Sequence, residues 1–171
     1  SKEFTKPVEI IYPCFDLSSF KRKEIKDLKN KLGLKGTVIG FIGRIVKEKG
    51  LNTLLKASKE INENHSILIV GKGNYKSDLV KLAKELGITE RVRFVDVIKY
   101  KDVPKYMSLM DIFVLPSLRE GFGISVLEAQ ACGLPCLVID AKENAAKYLI
   151  KDGYNGFVGE AVSYTHLTLP T

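Results

Sequence analysis

Between residues 37 and 158 the chain repeats one unit: a short apolar run, a turn, then a stretch with apolar residues at helical spacing. The runs TVIGFIG (37–43), SILIV (66–70), RVRFV (91–95), DIFVLP (111–116) and LPCLVI (134–139) are short and almost continuously apolar. Strands covered on both faces look like this. Between them LNTLLKASKEI (51–61), KSDLVKLAKELG (76–87), VPKYMSLM (103–110) and SVLEAQA (125–131) read as helices. A short helix at 145–150 and a short strand at 156–158 follow. Apolar strands alternating with helices require parallel βαβ crossovers, so the predicted fold is α/β with a doubly wound parallel sheet. Ligands of such sheets bind beyond the carboxyl ends of the strands. Three loops fall there: 43–50, 71–74 and 117–124.

The flanks are less regular. An apolar run at 8–12 leads to a Lys-rich segment that reads as a helix from about 18 to 32, ended by Gly33. The last stretch, AVSYTHLTLPT (161–171), loses the pattern. It reads as a segment foreign to the native protein, from cloning or read-through, with a native edge strand as the alternative.

Composition narrows the functional classes. The chain has 171 residues, 45% of them apolar, which suits one globular domain with a core. No apolar run reaches the roughly 18 residues of a membrane span. The net charge of +7 comes mostly from Lys interleaved with acids along helical segments, a solvated face and not a nucleic-acid surface. Three cysteines, Cys14, Cys132 and Cys136, form no CxxC pair, which points to reduced thiols in the cytosol. Cys132 and Cys136 read as small buried apolar residues. There is no Asp-x-Asp, no His-Glu-x-x-His and no carboxylate cluster, so no metal site is expected. No Walker A sequence is present, and GFGIS (121–125) is not the GxSxG nucleophile elbow. His65, just before a strand, reads as a turn residue; His166 lies in the irregular tail.

The chemistry gathers in PSLREGFGISVLEAQACGLP (116–135). Glu120 and Glu128 flank a glycine-rich turn, Gly121 to Ile124. A single helix through both would include two glycines at about 1 kcal/mol each. Glu120 is therefore placed on a loop and Glu128 on the helix that follows, with Ser125 as its cap. Backbone amides at that helix start suit phosphate or hydroxyl oxygens, and the two carboxylates suit hydroxyls. The same pair could serve as acid and base in glycoside hydrolysis. Upstream, Gly43 and Arg44 end the first central strand, and Lys49 and Gly50 open a helix. This is either a diphosphate site or a loop with two surface cations. Cations at a helix N-terminus are locally unfavourable, which favours the former. Gly71-Lys72-Gly73 superficially suggests a dinucleotide fingerprint, but Lys76 occupies the third glycine position. A tight turn admitting a ligand is the better reading.

Taken in order, GRIVKEKG (43–50), LIVGKGN (68–74), PSLREGFGISVLEAQACGLPCLV (116–138) and IKDGYNGFV (150–158) resemble the C-terminal domain of retaining GT-B glycosyltransferases of family 4, the glycosyl transferases group 1. The likeness spans about 37–158, and IIYPCFDLSSF (10–20) is similar to the family's segment between domains. The resemblance implies a Rossmann-like sheet forming the C-terminal half of a GT-B fold. It divides the chain into an interdomain segment (1–20), a donor-binding domain (21–160) and the tail (161–171).

The resemblance also implies roles. Arg44 and Lys49 grip the donor diphosphate and stabilise the leaving nucleotide in place of a metal. Glu120 binds donor-sugar hydroxyls, and Phe122, Gly123 and Ile124 offer backbone amides. Glu128 accepts from the ribose hydroxyls, Gly43 and Gly71 border the nucleotide, and the loop after Val95 lies near the base. The expected reaction transfers a hexose from a nucleotide-sugar to a hydroxyl acceptor with retention, in cell-envelope or polysaccharide biosynthesis. No cofactor is implied beyond the donor, which carries UDP, GDP or ADP.

Expected partners are that donor and an acceptor-binding N-terminal domain absent from this chain, which makes the isolated chain inactive. The expected location is the cytoplasm, with the full enzyme associating peripherally with the inner face of the membrane. A sugar-nucleotide epimerase of the same fold and a non-catalytic nucleotide-binding module are the alternatives. Two stretches depart from the family pattern: Asp96 stands where glycine is common, and 144–148 (NAAKY) replaces Gly-Gly-x-Pro-Glu.

Overall fold

A computed structural model describes residues 17–23, 25–61 and 64–160. The apolar run at 8–12, Cys14, most of the 1–20 segment, the 161–171 tail and His166 lie outside these residues.

Six parallel strands form the sheet: β1 (Thr37–Ile42), β2 (His65–Val70), β3 (Val92–Val95), β4 (Ile112–Leu115), β6 (Cys136–Asp140) and β8 (Gly156–Glu160). Their order is β3-β2-β1-β4-β6-β8. Helices α2 (Leu51–Glu60), α3 (Lys76–Glu85), α4 (Val103–Met107) and α5 (Ile124–Ala131) supply the crossovers. Every residue of β2 is buried, as a central strand covered on both faces requires. The α2 helix turns Leu51, Leu54, Leu55 and Ala57 inward, and α3 turns Leu79 and Ala83 inward. The doubly wound α/β prediction holds.

The topology locates the site. From β1 the chain winds outward through β2 and β3, then returns to place β4 on the other side of β1. The winding direction reverses between β1 and β4, and the crevice above their carboxyl ends is the topological switch point.

Five expectations are corrected. The helix expected over 18–32 is confined to α1 (Lys26–Lys31), after a 3₁₀ turn at Leu17–Ser19. Phe20 is buried in the core, and the Lys23 N–H donates to Ser108 Oγ at 2.9 Å, so tertiary contacts hold this stretch out of a helix. Ser125 does not cap α5: Gly123 does, at φ 89°, and the helix starts one residue earlier. A left-handed cap favours glycine over serine. Glu120 lies in a two-residue strand, β5 (Arg119–Glu120), paired with β7 (Glu143–Asn144), and not in an irregular loop. His65 opens β2, buried, 2.7 Å from Ser58 Oγ. The 145–150 helix is a 3₁₀ helix, Ala145–Leu149.

Candidate functional site

Three loops are knitted together at the C-terminal rim by backbone contacts. After β1 the chain passes Gly43 and Arg44, then Ile45, which is wholly buried. The Ile45 N–H donates to the Lys72 carbonyl at 2.8 Å, and the Tyr75 N–H donates back to the Ile45 carbonyl at 3.2 Å. A 3₁₀ turn (Lys47–Lys49) ends at Gly50, which is left-handed and leads into α2. The Leu118 N–H, after β4, donates to the Glu48 carbonyl at 3.0 Å. Two glycines are required by this approach. A Cβ on Gly71 would sit 1.9 Å from the Gly43 carbonyl oxygen, and one on Gly50 would sit 2.0 Å from that of Pro116.

A cleft of about 1010 Å³ opens at this rim, lined among others by Arg44, Lys49, Asn74, Tyr75, Glu120 and Gly121. Within it Lys49 Nζ lies 2.5 Å from Glu120 Oε2, with both side chains largely covered. Arg44 is exposed and forms no ion pair with any described residue. Its lining carries four cations, Arg44, Lys47, Lys49 and Arg119, against the acids Glu48, Asp78 and Glu120; the slight excess of positive charge and the Arg44 guanidinium, which pairs with no described acid, suit it to an anion.

The Glu120 side of the cleft is held by Asn144. Its Nδ2 donates to the carbonyls of Ser117 and Ile139, each at 2.9 Å, and its Oδ1 accepts from the Ala146 N–H at 3.1 Å. Asn144 is almost wholly buried, so these bonds replace water on both flanks of the β5–β7 pair.

The remaining predicted residues stand beside the cleft. The first N–H groups of α5, at Ile124 and Ser125, have no intrahelical acceptor and lie at the end of the turn that carries Gly121. Phe122 is half-buried, Gly123 buried and Ile124 exposed. Glu128 does not line the cleft. It lies four residues, about 6 Å, further along α5, and is buried. Burial pushes its carboxyl above the ordinary carboxylate range, and the Tyr100 hydroxyl opposes that rise. Arg44, Lys49 and Glu120 therefore converge, while Glu128 occupies an adjoining position.

Among the cleft-lining residues, sequence reasoning did not single out Asn74, Tyr75 and Arg119, although Asn74 and Arg119 lie inside two of the loops it named. Asn74 closes the 71–74 loop, Tyr75 follows it, and Arg119 precedes Glu120. Arg119 lies 3.3 Å from Glu143, an exposed ion pair on the rim. Asp96, which stands after β3 where the family commonly has glycine, pairs with Lys76 at 2.6 Å. Among the described residues no group of three or more His, Cys, Asp or Glu is placed to hold a metal ion. No helix among them is long and apolar enough to cross a membrane.

A doubly wound sheet with a cationic crevice at its switch point is the architecture of nucleotide-binding α/β domains. The family described as Glycosyl transferases group 1 matches residues 22–168. The chain belongs to this family. It is 32% identical over 155 residues to the D-inositol 3-phosphate glycosyltransferase of Mycobacterium sp. (strain KMS), covering 87% of this chain and 35% of that protein. It thus spans about a third of the length of such relatives. Anabaena Alr3699/HepE, crystallised with UDP and glucose, superposes with a TM-score of 0.85 at 27% identity, over 93% of this chain and 45% of that one. The C-terminal domain of a glycosyl transferase group 1 family protein (LpcC) from Francisella tularensis superposes with a TM-score of 0.75 at 25% identity. That match covers 88% of this chain and 82% of the Francisella domain.

Proposed function

We propose that residues 21–160 are the donor-binding domain of a glycosyltransferase that moves a hexose from a nucleoside diphosphate sugar to a hydroxyl acceptor with retention. The observation that carries this reading is the meeting of Arg44, Lys49 and Glu120 in one cleft above the β1–β4 reversal. The diphosphate lies against Arg44 and Lys49. Fixed cations there stabilise the charge that builds on the leaving phosphate as the glycosidic bond breaks. The glucose in the Anabaena complex and the glycosyltransferase activity of the Mycobacterium relative support a sugar donor.

Glu120 has two tasks in this reading. It holds Lys49 in place when the cleft is empty, and it accepts hydroxyl hydrogens of the donor sugar when the cleft is filled. The amides at the start of α5 add partial positive charge beside the phosphates. Retention follows from acceptor attack on the face the leaving phosphate departs from, with that phosphate taking the acceptor proton.

Isothermal titration with UDP, GDP and ADP tests the reading. One of the three binds and raises Tm, as a ligand of the native state must. Arg44→Ala weakens that ligand by about 1.5–3 kcal/mol, the value of a charge-assisted contact. Binding of none of the three, or an affinity unchanged by Arg44→Ala, refutes it.

A further inference from the structure

Glu120 is set on the cleft wall by a strand of only two residues. In the parallel pairing of β5 with β7, Glu120 stands opposite Asn144. A pair this short closes too few backbone bonds to persist unaided. The support comes from the Asn144 side chain, which is 1% exposed. Its Nδ2 donates to the Ser117 carbonyl, at the head of the loop that carries Glu120, and to the Ile139 carbonyl, in β6. Its Oδ1 accepts from the Ala146 N–H and so caps the 3₁₀ helix Ala145–Leu149. Ser117 is wholly buried, and its own Oγ has no partner among the described residues. The tie at Ser117 therefore comes from Asn144 and not from the serine hydroxyl.

The same segment meets the far end of the Glu120 loop. A Cβ on Gly123 would lie 2.5 Å from the Ala146 Cβ, so Ala146 packs directly against the residue that starts α5. Further along α5, the Gln130 Nε2 donates to the Leu149 carbonyl at 3.2 Å. The turn from Ser117 to Gly123 is thus anchored at both ends on one segment: at Ser117 by Asn144 Nδ2, and at Gly123 by Ala146, whose N–H is bonded to Asn144 Oδ1. Both Nδ2 hydrogens are engaged inside the fold and the residue is sealed, so Asn144 acts on a ligand only through what it holds.

We propose that Asn144 is a positioning residue for sugar recognition: by fixing both ends of the 117–123 turn it sets the direction of the Glu120 carboxylate, and with it how well the sugar of a nucleoside diphosphate sugar is held relative to the diphosphate. The inference rests on the donor-binding reading above and deepens it. Arg44 and Lys49 come from the loop after β1, to which the Asn144 side chain makes no bond. The two halves of the ligand also differ in tolerance. A hydrogen bond to a hydroxyl weakens steeply once its angle departs from linear. The attraction between a cation and a diphosphate varies slowly with distance and hardly with angle. Loosening the turn therefore costs the sugar contact more than the phosphate contact.

Titration compares UDP with UDP-glucose on the 171-residue chain and its variants, or GDP with GDP-mannose or ADP with ADP-glucose if one of those nucleotides is the ligand. Asn144→Ala removes all three bonds. It weakens the sugar nucleotide by about tenfold or more, the value of a charge-assisted hydrogen bond, and the nucleotide by about threefold or less. Asn144→Ser keeps a hydroxyl that caps the Ala146 N–H but is too short to bridge the two carbonyls. It is the less destabilised variant and shows the same pattern. Glu120→Gln supplies a readout that a merely structural role would not move. In that background Asn144→Ala weakens the sugar nucleotide no more than the nucleotide, because the group it positions is already gone. Equal weakening of the two ligands by the Asn144 variants, or a full further loss in the Glu120→Gln background, overturns the proposal and leaves the donor-binding reading intact. The native chain gives a test without substitution: hydrogen exchange at the Ala146 amide is slowed more by the sugar nucleotide than by the nucleotide, since coupling is reciprocal. Equal slowing overturns the proposal as well. Failure of the native chain to bind any of the three nucleotides overturns both readings.

Discussion

The Lys49 ammonium stands 2.5 Å from the Glu120 carboxylate although 71 residues separate them in the chain, and the two side chains are only 15% and 18% exposed. The pair ties the loop after β1 to the strand after β4. In the proposed reading a diphosphate competes with Glu120 for the same ammonium. Glu120→Gln therefore does two things. It leaves a largely covered Lys49 short of its counter-charge, lowering stability by about 1–3 kcal/mol in urea denaturation. It also releases Lys49 to the phosphates, so UDP affinity is kept or improved, while the extra affinity contributed by the sugar of UDP-glucose is lost. Lys49→Met instead weakens both ligands by about tenfold or more. Calorimetry on the four combinations checks this, and a Glu120→Gln chain that loses UDP and UDP-glucose equally would contradict it.

Close approach at Gly50 carries its own prediction, with Gly133 as the control. Both are left-handed, at φ 64° and 74°. A side chain at Gly133 meets nothing within 4 Å, whereas one at Gly50 would collide with the Pro116 carbonyl. Gly133→Ala costs only the backbone term, about 1 kcal/mol. Gly50→Ala costs about 2 kcal/mol or more beyond that, because the colliding atom is backbone and the loop must move. Urea midpoints of the two variants isolate the contact; equal costs would show that the β1 and β4 loops can part freely.

The central strands and crossover helices were legible because burial on both sides leaves an almost uninterrupted apolar signature, as in β2. Short elements were not. The β5–β7 pair has two residues a side and depends on Asn144 reaching Ser117 and Ile139, bonds that no local pattern encodes. The Lys-rich N-terminal stretch has helical spacing, yet burial of Phe20 overrides local propensity. Arg44, Lys49 and Glu120 could be singled out because each closes or follows a strand, where topology places ligands. His65 reads as a turn residue because its contact with Ser58, on the crossover helix before β2, is made only once the helix packs on the strand.

Glu128 makes stability depend on pH in a definite direction. Burial raises its carboxyl above the ordinary value, the Tyr100 hydroxyl opposing, so the folded chain holds this proton more tightly than the unfolded chain does. Where the folded chain binds more protons, stability falls as pH rises, here from the ordinary carboxylate value up through the raised one. At neutral pH the charged carboxylate costs stability. Glu128→Gln keeps the shape and an acceptor for Tyr100 and removes the charge. Its Tm exceeds that of the native chain at pH 7, and the advantage disappears below the ordinary carboxylate value. Thermal melts at pH 4 and pH 7 are sufficient, and an advantage independent of pH would show that the charge is not its source.

The same carboxylate reaches the nearby thiols unequally. Cys136 is 1% exposed, its Sγ pointing at the Leu134 and Val126 carbonyls, and burial pushes its thiol up to about 12. Cys132, at the end of α5, is 3% exposed; burial raises it first, and the Glu128 charge raises it further. Both thiols are protonated and covered at pH 8, so iodoacetamide labels them slowly in the folded chain, at a rate set by access and by the small thiolate fraction. Labelling followed by peptide mass spectrometry should be slower than in urea by about a thousandfold or more. Glu128→Gln removes the electrostatic part of the protection at Cys132 and leaves Cys136 where it was. Labelling of Cys132 relative to Cys136 therefore rises in that variant. If both sites accelerate by one factor, the substitution has only eased opening of the fold. If neither changes, the Glu128 charge does not act on the Cys132 thiol.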